Sequence, residues 1–147
     1  MNKASDLLKV LEDLTWENYV DVADAATQFD KNEIDNEMAR QASVYSYYQG
    51  LLSISKKALD EANLELTKFT AQTRKDQKMN SPLKKLTAKD LDDIVESTSE
   101  YAAYTKSVTD ASFQYTLLKG LVSALEHKKD MLVQLSSNRR AETNLYR

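Results

Sequence analysis

Residues 34–69 read IDNEMARQASVYSYYQGLLSISKKALDEANLELTKF, and this stretch decides the fold class. Taken in alternating steps of four and three from Ile34, the positions are Ile34, Met38, Gln41, Tyr45, Tyr48, Leu52, Ser55, Leu59, Ala62, Leu66 and Phe69. All but Gln41 and Ser55 are apolar or aromatic, which is the seam of a coiled coil rather than the period of a strand. A second row, Val44, Tyr47, Leu51, Ile54 and Ala58, lies beside it, so this helix expects neighbours on two sides. Asp30 or Asn32 is placed to cap its start, and Asn80-Ser81-Pro82 breaks it at about Met79. At 1.5 Å per residue it is about 70 Å long.

Beyond the break, Thr87 and Asp90 have the spacing of a capping box. Asp90, Asp92 and Asp93 then fall where the helix dipole favours negative charge. The apolar positions Leu91, Ile94, Val95, Tyr101, Val108, Ala111, Tyr115, Leu118, Val122, Leu125, Leu132 and Leu135, with Thr98 and Thr105 filling the spacing, predict a second helix reaching about Glu142. Two helices of matched length joined by one turn read as an antiparallel hairpin. Before them, Ser5 to Gln28 carries a shorter helix or two, with Trp16 as the large apolar anchor that folds back on the hairpin. The reading is therefore all-α: residues 1–29 a short helical segment, residues 30–147 a long hairpin of coiled-coil kind. Such a hairpin encloses little core, so self-association is expected, through Leu52, Leu59 and Leu66 on the first helix and Tyr115, Leu118, Val122, Leu125 and Leu132 on the second.

Composition agrees. Only two Gly and one Pro punctuate 147 residues, so turns are few and elements long. No Cys is present, which excludes disulfides and thiolate metal sites and suits a reducing cytoplasm. The single histidine, His127, sits among charges on a helix, and no Gly-rich loop, metal-ligand spacing or nucleophile with a neighbouring base occurs. An enzyme, a cofactor and a bound metal are not expected. No apolar run spans a bilayer and the N-terminus does not read as a signal peptide, so the expected place is the cytoplasm, without a membrane partner.

The net charge of −3 conceals blocks. Residues 1–40 carry four Lys/Arg against ten Asp/Glu, whereas residues 68–89 carry seven basic residues against Asp76 alone. The basic stretch surrounds the break at Asn80-Ser81-Pro82 and makes a basic tip around 74–87. Arg74, Lys75, Lys78, Lys84, Lys85 and Lys89 are the candidate phosphate-binding residues, because point charges repeated around an oligomer make a continuous basic surface. A helix C-terminus also favours Lys and Arg, so a purely structural role for the same residues stands beside this one. The tyrosines 45, 47, 48, 101, 104 and 115 have the chemistry to stack on bases, but at helical spacing beside Leu and Ile they read first as packing residues.

In the last third the sequence resembles a known family. Tyr115-Thr116-Leu117-Leu118-Lys119-Gly120-Leu121-Val122, then Ala124-Leu125-Glu126-His127-Lys128-Lys129-Asp130-Met131-Leu132-Val133-Gln134-Leu135 and Asn138-Arg139-Arg140-Ala141-Glu142, entered from Lys84-Lys85-Leu86-Thr87, is similar to bacteriophage recombination mediators of the UvsY type. The resemblance covers roughly residues 84–142. It implies a helical, ring-like homo-oligomer in the host cytoplasm that binds single-stranded DNA and helps load a RecA-like recombinase onto strands coated by a single-strand binding protein. Tyr47-Tyr48-Gln49-Gly50 matches a DNA-associated element of that family but has no basic neighbour before Lys56, so no DNA role is carried onto it. The competing reading is a coiled-coil structural or assembly protein, such as a virion scaffold, without nucleic acid; a helical secretion chaperone comes third.

Overall fold

A computed structural model describes residues 13–81 and 85–145, and among them the secondary structure is entirely helical. The elements are α1 (Trp16–Thr27), a 3-10 turn at Lys31–Glu33, α2 (Ile34–Asn80), α3 (Ala88–Glu96) and α4 (Ser99–Leu145). The chain is an all-α helical hairpin, with α2 as its first arm and α3 plus α4 as its second. It divides into two compact units: residues 1–55 with 114–147, and residues 56–113. The division cuts across the hairpin rather than falling at residue 29, because α1 packs into the first unit.

Local chemistry starts each helix. The backbone N–H of Thr15 donates to Asn18 Oδ1 at 2.9 Å ahead of α1, and Asp30 Oδ1 accepts from the Asn32 N–H at 2.8 Å ahead of α2. At α3 the expected capping box is formed: Thr87 N–H donates to Asp90 Oδ2 at 2.9 Å, and Asp90 N–H to Thr87 Oγ1 at 3.2 Å.

The second arm is broken where one continuous helix was expected. Ser97 and Thr98 lie between α3 and α4, and their hydroxyls compete for helix carbonyls: Ser97 Oγ donates to Ile94 O and Thr98 Oγ1 to Val95 O, both at 2.7 Å. Thr98 then accepts from the Tyr101 N–H at 3.2 Å, capping α4. Hydrogen bonds from its own backbone N–H and the Ser99 hydroxyl hold the Glu100 carboxyl below the usual carboxylate range in this first turn.

In the first unit α2 and α4 run antiparallel. Gln41 Nε2 donates to Leu125 O at 2.7 Å and Tyr45 Oη to Glu126 Oε1 at 2.8 Å; further along, Leu51 meets Leu117 and Leu118. Leu14, just ahead of α1, and Tyr19 and Val22 on it join this core. The Tyr19 hydroxyl lies where a side chain on Gly120 would stand, 3.1 Å from an added Cβ, so Gly120 does mark a close helix approach. Gly50 does not, since nothing lies within 4 Å of a Cβ there. Trp16, expected as the anchor, is instead 61% exposed. It occupies the first position of α1, and the inward positions three and six residues on belong to Tyr19 and Val22.

The C-terminal end of α1 is fixed by a buried lysine. Lys128 Nζ donates to Gln28 O at 2.9 Å and Ala26 O at 3.3 Å, and pairs with Glu37 Oε2 at 3.0 Å. Its side chain is 7% exposed. In the second unit Leu91 and Val95 are buried, and the rings of Phe69 and Tyr104 meet at 5.1 Å.

The association residues divide. Leu118, Val122, Leu125 and Leu132 are buried inside the single chain, which corrects their assignment to a surface between copies: their apolar area is already spent on intramolecular packing. Leu52, Leu59, Leu66 and Tyr115 are half-buried.

Two stability outcomes follow. Lys128→Ala leaves Glu37 and two carbonyls without their donor and is expected to cost about 3 kcal/mol in urea unfolding. Gly50→Ala fills open space in a helix interior and is expected to add about 0.5–1 kcal/mol, with Gly120→Ala gaining less because the Tyr19 hydroxyl must shift.

Candidate nucleic-acid interface

The candidate residues are placed by the last turns of α2 and the approach to α3, all within the second unit. Arg74, Lys75 and Lys78 project from consecutive turns of α2, with Lys78 in its last turn. Lys85 precedes the Thr87 cap and Lys89 lies in the first turn of α3. All five are exposed. Lys84 lies outside the described residues. The structure thus brings cations from both sides of the turn to the same pair of helix ends, as the charge block suggests.

Arg74 differs from the lysines. Its guanidinium is hydrogen-bonded and ion-paired to Asp92 of α3. It is therefore partly neutralised and ties the two helices together. Lys75, Lys78, Lys85 and Lys89 form no ion pair with any described residue. The mid-helix lysines of the same unit behave otherwise: Lys56 pairs with Asp60 at 2.6 Å, Lys57 with Glu61 at 3.5 Å, Lys68 with Glu65 at 2.9 Å and Lys106 with Asp110 at 2.6 Å. Those are i,i+3 and i,i+4 pairs that neutralise a helix face locally. No described carboxylate pairs with the four lysines at the turn, and unpaired cations of this kind are what release counterions when a phosphate chain binds.

The tyrosines separate by surroundings. Tyr48 packs against the first unit's core, and burial, with Tyr47 beside it, pushes its hydroxyl above the usual phenol range. Tyr45 is engaged by Glu126 and by Gln49 Nε2 at 2.8 Å. Tyr47 is 42% exposed and meets Tyr48 edge-on at 5.1 Å. His127 is exposed, and among the described residues no group of three or more His, Cys, Asp or Glu converges as a metal site. No helix among them is long and apolar enough to cross a membrane.

Sequence reasoning missed Lys128 as a structural residue, because Glu126-His127-Lys128-Lys129-Asp130 reads as a solvated run. Its position three residues after the buried Leu125 and four before the buried Leu132 is the signal that was present. No protein family, characterised protein or solved structure significantly matches this chain.

Because the Arg74–Asp92 pair is exposed, Asp92→Ala is expected to cost less than about 1 kcal/mol of stability, read from thermal unfolding.

Proposed function

We propose that the protein is a non-enzymatic helical assembly protein that self-associates and holds single-stranded DNA on the lysines flanking the α2–α3 turn, in the manner of the recombination mediators its sequence resembles. In this role it presents the strand to a RecA-like recombinase in competition with a single-strand binding protein. One observation carries the reading: among the described residues, Lys75, Lys78, Lys85 and Lys89 have no carboxylate partner, whereas the mid-helix lysines of the same unit do. Uncompensated point charge is the chemistry of sequence-independent phosphate binding. Self-association is supported by apolar side chains left in water, among them Trp16, Leu64, Phe113 and Met131.

The second reading, a coiled-coil scaffold without nucleic acid, draws on the Arg74–Asp92 pair, which shows that part of the basic block serves helix-to-helix contact. Fluorescently labelled oligonucleotides of equal length and different sequence decide between them. Binding is expected to be nearly equal among sequences and to weaken with salt at a log–log slope of about −0.7 per phosphate neutralised, roughly −3 for four lysines. Lys75→Glu with Lys78→Glu and Lys85→Glu is expected to abolish it without changing the oligomer's mass, whereas Lys56→Glu with Lys57→Glu changes little. Retained affinity and slope in the triple variant would give the lead to the scaffold reading.

A further inference from the structure

We propose that the outward face of α1 is a contact surface for a second copy of this chain, and that it seats on the arginine-lined groove at the C-terminal end of that copy's α4. The inference rests on the self-association in the reading above and names its two surfaces.

Helix α1 spends Tyr19 and Val22 on the core of its own unit. Its outward face carries Trp16 and Val20, one turn apart and 61% and 60% exposed. Trp16 is not loose: its ring stacks on Tyr19 at 6.0 Å with 11° between planes, and Tyr19 is held against Gly120. An aromatic side chain fixed before contact loses little freedom on binding. Around this pair stand Glu17, Asp21 and Asp24, and the whole stretch 13–30 holds five carboxylates and no Lys or Arg. None of these carboxylates is ion-paired to a described residue. An apolar centre inside a charged rim is the anatomy of an interface, and this one asks for a cationic surface with an apolar hollow.

The same unit contains such a surface. Asp35, Met38, Ser136, Arg139, Arg140 and Thr143 line an open groove of about 580 Å³, in which two guanidinium groups stand against one carboxylate and Met38 is the apolar side chain. Arg139 and Arg140 are exposed and form no ion pair with a described residue; Arg140 Nε donates only to Ser136 O, at 3.4 Å. Guanidinium suits both parts of the proposed partner, since it forks onto carboxylates and stacks on an indole.

The two surfaces cannot meet within one copy. Tyr19 sits at the level of Gly120, and Arg139 and Arg140 lie about 20 residues further along the same helix, roughly 30 Å away at 1.5 Å per residue. Lys128 holds the C-terminal end of α1 where it is. The contact is therefore between copies, each of which offers both faces.

Charge exchange tests this. One variant carries Asp21→Arg and Asp24→Arg, the other Arg139→Asp and Arg140→Asp, and assembly is read by analytical ultracentrifugation at low salt, with helicity checked by circular dichroism. Each variant alone is expected to associate at least tenfold more weakly than the wild type, and an equimolar mixture to recover assembly, because each then offers the charge that the other lacks. The neutral pairs Asp21→Asn/Asp24→Asn and Arg139→Gln/Arg140→Gln are expected to weaken association too, which keeps the test open if a reversal disturbs folding. Wild-type assembly that neither reversal weakens, or no recovery on mixing two folded variants, overturns the inference and leaves self-association standing. A wild type that sediments at 16.7 kDa overturns both. A monomer whose α1 face instead binds a basic polypeptide would give the surface to a foreign partner and overturn it as well.

Discussion

A lysine amine with almost no access to water is tolerated only where its charge and its three donors are matched, and Lys128 meets that condition with three acceptors from two segments. Ala26 O and Gln28 O belong to the end of α1, where the last carbonyls of a helix have no intrahelical donor and carry the negative end of its dipole. Glu37 belongs to the start of α2 and supplies the compensating charge. The amine therefore settles three things together: where α1 ends, how the chain turns into α2, and at which level of α4 both are held. With that end fixed, Tyr19 is set over Gly120 and Leu14 reaches Leu51, Leu117 and Leu118. The geometry of the first unit depends on this one side chain more than on any single apolar contact.

Polar groups inside the helix pair add specificity of another kind. Gln41 and Ser55 occupy seam positions that would pack better if apolar, yet both are buried. Gln41 reaches across to the Leu125 carbonyl, a contact available only at one level of α4, so it marks the register as a polar seam residue does in coiled coils. Its Oε1 and the Ser55 hydroxyl have no partner, which sets a cost against that specificity. A sliding pair of long apolar seams has many nearly equivalent registers, and a few costly polar contacts separate them.

The helix from Ile34 to Phe69 was legible in its spacing, which holds Ile34, Gln41 and Ser55 buried and most other seam positions half-buried, although Met38 is exposed and Leu51 of the second row is the more deeply buried leucine. Caps at Asp30 and Thr87 were legible for a similar reason, since each needs only a local side chain at a fixed offset. The break at Ser97 and Thr98 was not, because hydroxyl competition for helix carbonyls is weak and its outcome depends on tertiary contacts. Trp16 is exposed despite its size because the turn of α1 puts Tyr19 inward. Lys128 was hidden by its charged neighbours, and only its three-dimensional partners explain it. At the basic turn, the sequence located the cations but gave no means to tell Arg74, which is paired, from the lysines, which are not.

That difference between paired and unpaired cations orders the remaining charge. An acidic α1 face and a nucleic-acid strand both seek positive charge, so an assembly that uses both must keep them from competing. The two basic surfaces differ in kind: lysines with compact charges at the α2–α3 turn, and arginines beside Met38 in a groove lined by α2 and α4. Phosphates along a flexible strand need only point charges at loose spacing, whereas carboxylates set around an indole at fixed helical intervals favour planar forks and an apolar floor. In the proposed assembly the acidic face would match the arginine groove and the strand the lysines, so that neither competes for the other's site.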